Sequence, residues 1–275
     1  MNEPKSQSTY DLEGRLRVYF PALFNLLNEK KLDWRSITRT FERKMADHTK
    51  RYKAKGVPVL VEVSFYGYVV AYSKGIKEAE SFLQFINDLF ESLNGRLTDK
   101  EKLLIRDNIN GIFSNMDLKF LNFVGELAVL NYIKANTNCE LDATECLLDP
   151  LNSKGSRIDF RLVVPSTMQE QLMEVVNIMM HKASTWSESQ VKNRIYQKIT
   201  EKLRLKGLSK ERNFMLVPVI WGSYEDIKAV MSHYKAEQPV FQNTSIPFGY
   251  VAFRNSEGEA QLFFGPISAV LKKVQ

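Results

Sequence analysis

The sequence predicts an α/β protein, with a central mixed sheet flanked by helices and a mainly helical N-terminal region ahead of it. Three observations carry this expectation. Apolar residues at spacings of three and four dominate the N-terminal part, short β-branched and aromatic runs recur beyond Ala135, and helical patterns separate those runs. The change of character near residue 115 divides the chain into a helical part, 1–115, and an α/β core, 116–275.

The helical part opens with a polar tail, MNEPKSQSTYDLEG, which has no apolar core of the kind a secretory signal needs. Residues 11–30 form an amphipathic pattern with Pro21 as the candidate break. Asp33 is placed to cap a strongly basic helix over 33–55, where Arg35, Arg39, Arg43, Lys44, Lys50, Arg51, Lys53 and Lys55 oppose only Glu42 and Asp47. From Val57 to Tyr72 alternation and β-branched content favour a strand, with a helix left open. Lys74-Gly75 opens a helix to about Leu93, which Asn94-Gly95 ends. Thr98 with Glu101 three residues later reads as a capping box.

Asp117 then caps a helix carrying Glu126 within the apolar segment FLNFVGELAVLNYI. Strands are expected near 139–148, 157–164, 171–180, 214–221, 248–254 and 261–265, with helices over 187–206 and 224–235.

Composition narrows the classes of function. At 275 residues, 44% hydrophobic and 25% charged, the chain can bury a sizeable core. Its formal charge of +6 favours contact with phosphates. No run approaches the roughly 18 uncharged apolar residues that span a bilayer, so a membrane is not an expected partner. Cys139 and Cys146 are too few for a disulfide framework or a four-cysteine zinc site, which makes a reducing cytoplasm the expected compartment. Walker-type, Gly-x-Gly-x-x-Gly and Gly-x-Ser-x-Gly motifs are absent, which argues against common nucleotide-binding and serine hydrolase designs.

The candidate chemistry lies in three carboxylates. Glu126 sits on a helix, Asp159 in the run SRIDFRLVV, and Glu174 in QLMEVVNIMM. Alternation along a strand turns each of the last two away from its apolar neighbours. Two such carboxylates on adjacent strands repel unless a cation or a shared proton intervenes. A hard ion such as Mg²⁺ suits oxygen donors and keeps waters for a phosphate substrate.

This order resembles the PD-(D/E)XK, or restriction-endonuclease-like, nuclease superfamily. Glu126 matches its helix acid, Asp159 its first strand carboxylate and Glu174 its second. The basic segment WSESQVKNRIYQKITEKLRLKG, the FMLVPVIWG run and the Tyr224–Tyr234 helix follow in the family's order, so the resemblance covers roughly residues 115–235. It implies a restriction-endonuclease-like core and a nuclease using Mg²⁺ or Mn²⁺ held by Asp159 and Glu174, with Glu126 assisting through water. The family's lysine two residues after the second carboxylate is missing, because Val176 stands there. Lys182 and Lys192 are the candidate replacements.

Nucleic acid, DNA ahead of RNA, is the expected partner, with Gln190, Arg194, Lys198 and Lys202 as phosphate contacts on the basic helix. A homodimer is compatible with this reading. The alternative is an inactive module on the same fold, binding nucleic acid or a protein. A solvated helix face and unrelated surface carboxylates are the plainer alternatives for the same residues.

Overall fold

The computed structural model describes residues 12–27, 32–55, 64–73, 75–115, 117–149, 151–206, 214–233, 249–253 and 260–264. The chain divides into two compact units, Met1–Gly95 with Arg106–Val124, and Arg96–Ile105 with Gly125–Gln275.

The first unit is built from helices. In chain order they are α1 (Leu12–Tyr19), α2 (Pro21–Leu26), α3 (Trp34–Ala54), α4 (Phe65–Ser73) and α5 (Lys77–Arg96). After α6 (Asp99–Leu104), which belongs to the second unit, α7 (Arg106–Ser114) returns to the first. Pro21 stands at the first position of α2, where its missing N–H costs nothing, so the break between α1 and α2 falls where the proline allows it. Asp33 caps α3 by accepting the Ser36 N–H at 3.0 Å. The core of this unit is aromatic. Phe65 packs against Phe20 at 4.9 Å and Phe113 at 5.2 Å between ring centroids, and Phe41 meets Tyr66 at 4.7 Å.

The expectation of a strand over Val57–Tyr72 fails where it can be compared, because Phe65–Ser73 is α4; residues 57–63 lie outside the described residues. Ser64 decides the local geometry by accepting the Gly67 N–H at 3.0 Å as a helix cap. Tertiary burial of Phe65, Tyr66 and Val69 then overrides the β preference of the segment. Helix α5 also runs through Asn94-Gly95 to Arg96, with Leu93 and Leu97 buried on either side of that expected stop.

The second unit holds a mixed sheet with helices. Helix α8 (Phe120–Asn136) precedes β1 (Glu140–Leu147), β2 (Arg157–Val164) and β3 (Gln169–Met179), which pair antiparallel in sequence order. Helix α9 (Glu188–Lys206) leads to β4 (Phe214–Ser223), parallel to β3, and α10 (Tyr224–His233) to β5 (Gly249–Phe253), parallel to β4. Strand β6 (Ala260–Phe264) closes the order antiparallel to β5. Parallel neighbours need a crossover between them, and α9 and α10 supply it. Val191, Ile195 and Ile199 of α9 share one core with Val176 and Ile178 of β3 and with Met180 just past it. Among the described residues no helix is long and apolar enough to cross a membrane.

Glu101 fastens α6 to this unit. The capping box forms as expected, with the Glu101 N–H donating to Thr98 Oγ1 at 3.3 Å and the Thr98 N–H to Glu101 Oε2 at 2.8 Å. Its other oxygen accepts from Lys134 Nζ of α8 at 2.8 Å and from the Leu141 N–H of β1 at 2.7 Å. Burial alone would raise this carboxyl, but Lys134 and the two amides outweigh it and hold it below the usual glutamate range. Its contribution is therefore present above the pKa of an unfolded glutamate and lost as pH falls through the depressed folded value. Replacing Glu101 by Gln removes the charge that faces the largely enclosed Lys134 ammonium, which keeps the Cys139 carbonyl at 3.0 Å. The expected loss is about 2–4 kcal/mol in urea denaturation at neutral pH, with a shallower acid-side decline than the parent protein shows.

Candidate functional site

Strands β2 and β3 pair from Val164 opposite Gln169 to Phe160 opposite Met173. One step further come Asp159 and Glu174, and there the side chains take over from the ladder. The Asp159 N–H donates to Glu174 Oε2 at 3.2 Å, and the Val175 N–H donates to Asp159 Oδ2 at 2.6 Å. Each carboxylate thus closes on the main chain of the other's strand. Asp159 and Glu174 are both buried, Glu174 completely, and Glu126 of α8 is buried too.

The charge on this pair is met by α9. Lys202 Nζ lies 2.6 Å and Lys206 Nζ 3.0 Å from Glu174 Oε1. Lys206 also donates to the Arg157 carbonyl, two residues ahead of Asp159. The two lysines are one helical turn apart and continue the buried line of Val191, Ile195 and Ile199. Glu174 continues the Val176–Ile178 face of β3 in the same way. An apolar helix–strand contact therefore ends as an ionic one.

The third carboxylate reaches the group as a field at Lys202. Burial would lower the Lys202 ammonium, but the fields of Asp159, Glu174 and Glu126 outweigh it and raise Lys202 above the usual lysine value. Asp159 is pushed up to about 7, first by burial and then by the charge of Glu174, against the opposing pull of Lys202, the Val175 amide and Lys206. Even with two ammoniums present, the burial of Asp159 and its repulsion with Glu174 are incompletely offset. Two hard oxygen donors in that condition suit a divalent ion with oxygen preference. Among the described residues no three His, Cys, Asp or Glu side chains form a closed ligand set.

The other sequence-derived candidates lie elsewhere on the segment after β3. Lys182 sits in the left-handed region, φ 63°, ahead of a short 3₁₀ turn, and its carbonyl accepts from Thr185. Lys192 pairs with Glu188, and Lys198 with Glu201 at 2.9 Å. Gln190 caps the start of α9, its Oε1 accepting the Ser187 N–H at 2.8 Å. Arg194 is half-buried, and its Nε lacks a hydrogen-bond partner among the described residues. Lys202, expected as a phosphate contact, lies against Glu174. Its phase with the apolar stripe of α9 was the available signal, and the same phase marks Lys206.

Glu126 owes its position to its neighbour. Gly125 packs so close to β3 that a Cβ there would stand 2.1 Å from Asn177 Oδ1. Asn177 is itself fixed by the Trp221 indole N–H at 2.7 Å, from a completely buried ring on β4. Asn177 therefore belongs to the α8 side of the sheet, away from Glu174, as strand alternation requires.

Two outcomes follow from this geometry. Gly125→Ala must displace α8 or Asn177, and a cost of about 1–3 kcal/mol is expected in denaturant unfolding, as for an overpacked core. Asp159 holds its proton to higher pH in the folded than in the unfolded chain. Its contribution therefore falls as pH rises from the unfolded aspartate pKa to about 7. Asp159→Asn keeps an oxygen for the Val175 N–H, so it should flatten that decline and leave the protein more stable at neutral pH, by on the order of 2 kcal/mol. Stability measured across this range in both proteins checks the sign.

No protein-family model, curated protein or solved structure matches this chain.

Proposed function

We propose that the chain is a metal-dependent phosphodiester hydrolase of the restriction-endonuclease-like kind, acting on nucleic acid, with DNA ahead of RNA. The observation that supports this most directly is the grouping of Asp159 and Glu174 from adjacent strands around Lys202, which also feels Glu126. The order of α8, three antiparallel strands, α9 and a parallel strand agrees with that reading.

Asp159 and Glu174 would hold Mg²⁺ or Mn²⁺. The ion, when bound, would supply Lewis-acid stabilisation of the phosphate and lower the pKa of a coordinated water. Glu174 orients Asp159 through the Asp159 amide, and Asp159 in turn fixes the Val175 main chain, so the donor pair is preorganised. Lys202 carries a positive charge at neutral pH beside the donors, where it would steady negative charge developing on a phosphate. It takes the place of the ammonium that Val176 cannot provide. Lys206 neutralises Glu174 from the next turn of α9 and anchors the end of that helix to Arg157.

A second reading, a catalytically silent module on this fold, draws on one fact. Glu174 already has two ammoniums against it, so part of the cation's role is filled from within the chain.

The test is hydrolysis of supercoiled DNA, linear DNA and RNA with Mg²⁺ or Mn²⁺, alongside calorimetric titration of Mn²⁺ into the same preparations. Asp159→Asn, Glu174→Gln and Lys202→Met should each lower the rate by about 100-fold or more, with Lys202→Arg retaining part of it. Thermal melts separate these effects from unfolding. Metal-dependent cleavage that survives Asp159→Asn sinks the assignment. Mn²⁺ binding that needs Asp159 but brings no hydrolysis of any substrate selects the silent module.

A further inference from the structure

Helix α3 carries a face that neither the core of its own unit nor the carboxylate site uses. At about 100° per residue, Arg35, Arg39, Arg43, Lys50 and Lys53 fall within an arc of about 80°. All five are exposed. Ala46 is the other residue of that arc between them, while Glu42 and Asp47 fall outside it. From Arg35 to Lys53 the stripe runs about 27 Å at 1.5 Å per residue. That is the length of about eight nucleotides of one duplex strand at 3.4 Å each.

The opposite side of the helix excludes a bilayer as the occupant. Ile37, Phe41 and Met45 lie there, and all three are buried in the unit's core. A membrane-surface helix needs its apolar face free to enter the lipid, and α3 has spent that face on folding. What remains is a single-sign row of cations, at steps of four, four, seven and three residues along the helix. Three of the five are arginines, whose planar forks pair with phosphate oxygens two at a time. A phosphodiester chain carries negative charge along its whole length, so it meets every cation of such a stripe whatever the step between them, whereas an acidic peptide would need its charges placed to match.

We propose that the Arg35–Arg39–Arg43–Lys50–Lys53 face of α3 is a docking surface for the phosphodiester backbone of nucleic acid. The interaction is electrostatic and reads no bases. It goes beyond the hydrolase reading and rests on α3 alone, so either can fail without the other.

The experiment is fluorescence anisotropy of labelled DNA of about 20 base pairs, and of RNA of the same length, with the full chain in EDTA at about 50 to 200 mM salt. Without divalent ions the measurement is blind to hydrolysis. Binding should weaken with salt, and R35Q/R39Q/R43Q should weaken it at least tenfold. The slope of log K against log salt should drop by about 2–3, at about 0.9 for each phosphate that the variant no longer neutralises. R39E/K50E should weaken it further. Since all the substituted α3 residues are exposed, circular dichroism and melting temperature of those variants should match the parent. A triple variant that folds but keeps the parent's affinity and slope overturns the proposal. So does a loss confined to anionic vesicles of phosphatidylserine and phosphatidylcholine, which would make the face a lipid surface.

Discussion

The sheet unit depends on a pair of like charges buried side by side. Asp159 and Glu174 sit where the ladder between β2 and β3 gives way to side-chain bonds, and each carboxylate accepts an amide of the other's strand. Such an arrangement is unfavourable by itself, because burial and mutual repulsion both oppose ionisation. It persists because α9 brings two ammoniums to Glu174 and because the amides are satisfied there instead of by the next rung of the ladder. Asp159 still resists ionisation up to about 7, so the compensation is partial. A stability-optimised core would carry apolar residues in these places. Local cost retained at one point is the usual mark of a functional site.

The rest of the unit can be read as the apparatus that holds this pair. Val191, Ile195 and Ile199 fix the rotation of α9 about its axis, and that rotation delivers Lys202 and Lys206 to Glu174. On the other side of the sheet, Trp221 holds Asn177, and the missing side chain of Gly125 lets α8 lie against it, one residue before Glu126. The Glu101 junction ties α6, α8 and β1 together through Thr98, Lys134 and Leu141. The helical unit follows a different principle, an aromatic core about Phe65 with a cationic outer face on α3.

Much of the fold was legible because its signals are local. The Thr98–Glu101 box, the Asp33 cap, the proline at the start of α2, and the positions of β1 to β4, α9 and α10 all depend on residues a few positions apart. Phe65–Tyr72 was read with the alternating run ahead of it because this stretch, apolar on nearly all sides, has little helical periodicity of its own, and the Ser64 cap carries little weight in a β-branched context. The boundary of the units was harder still. Helix α6 belongs to the sheet unit although the helices on either side of it lie largely in the other, because Glu101 bonds to residues more than thirty positions away.

The sequence by itself determined the three carboxylates, their order on a helix and two strands, and the absence of a lysine at Val176. Alternation along β2 and β3 also determined that Asp159 and Glu174 leave their strands against their apolar neighbours. Only the tertiary structure decided which cations meet them. Lys182 and Lys192 are nearer in sequence, yet Lys202 and Lys206 reach Glu174, because α9 runs back along the sheet and its buried face, not its sequence distance from β3, sets which side chains arrive. Pairing of that kind is a consequence of how a helix packs on a strand, and it exists only once the two are in contact.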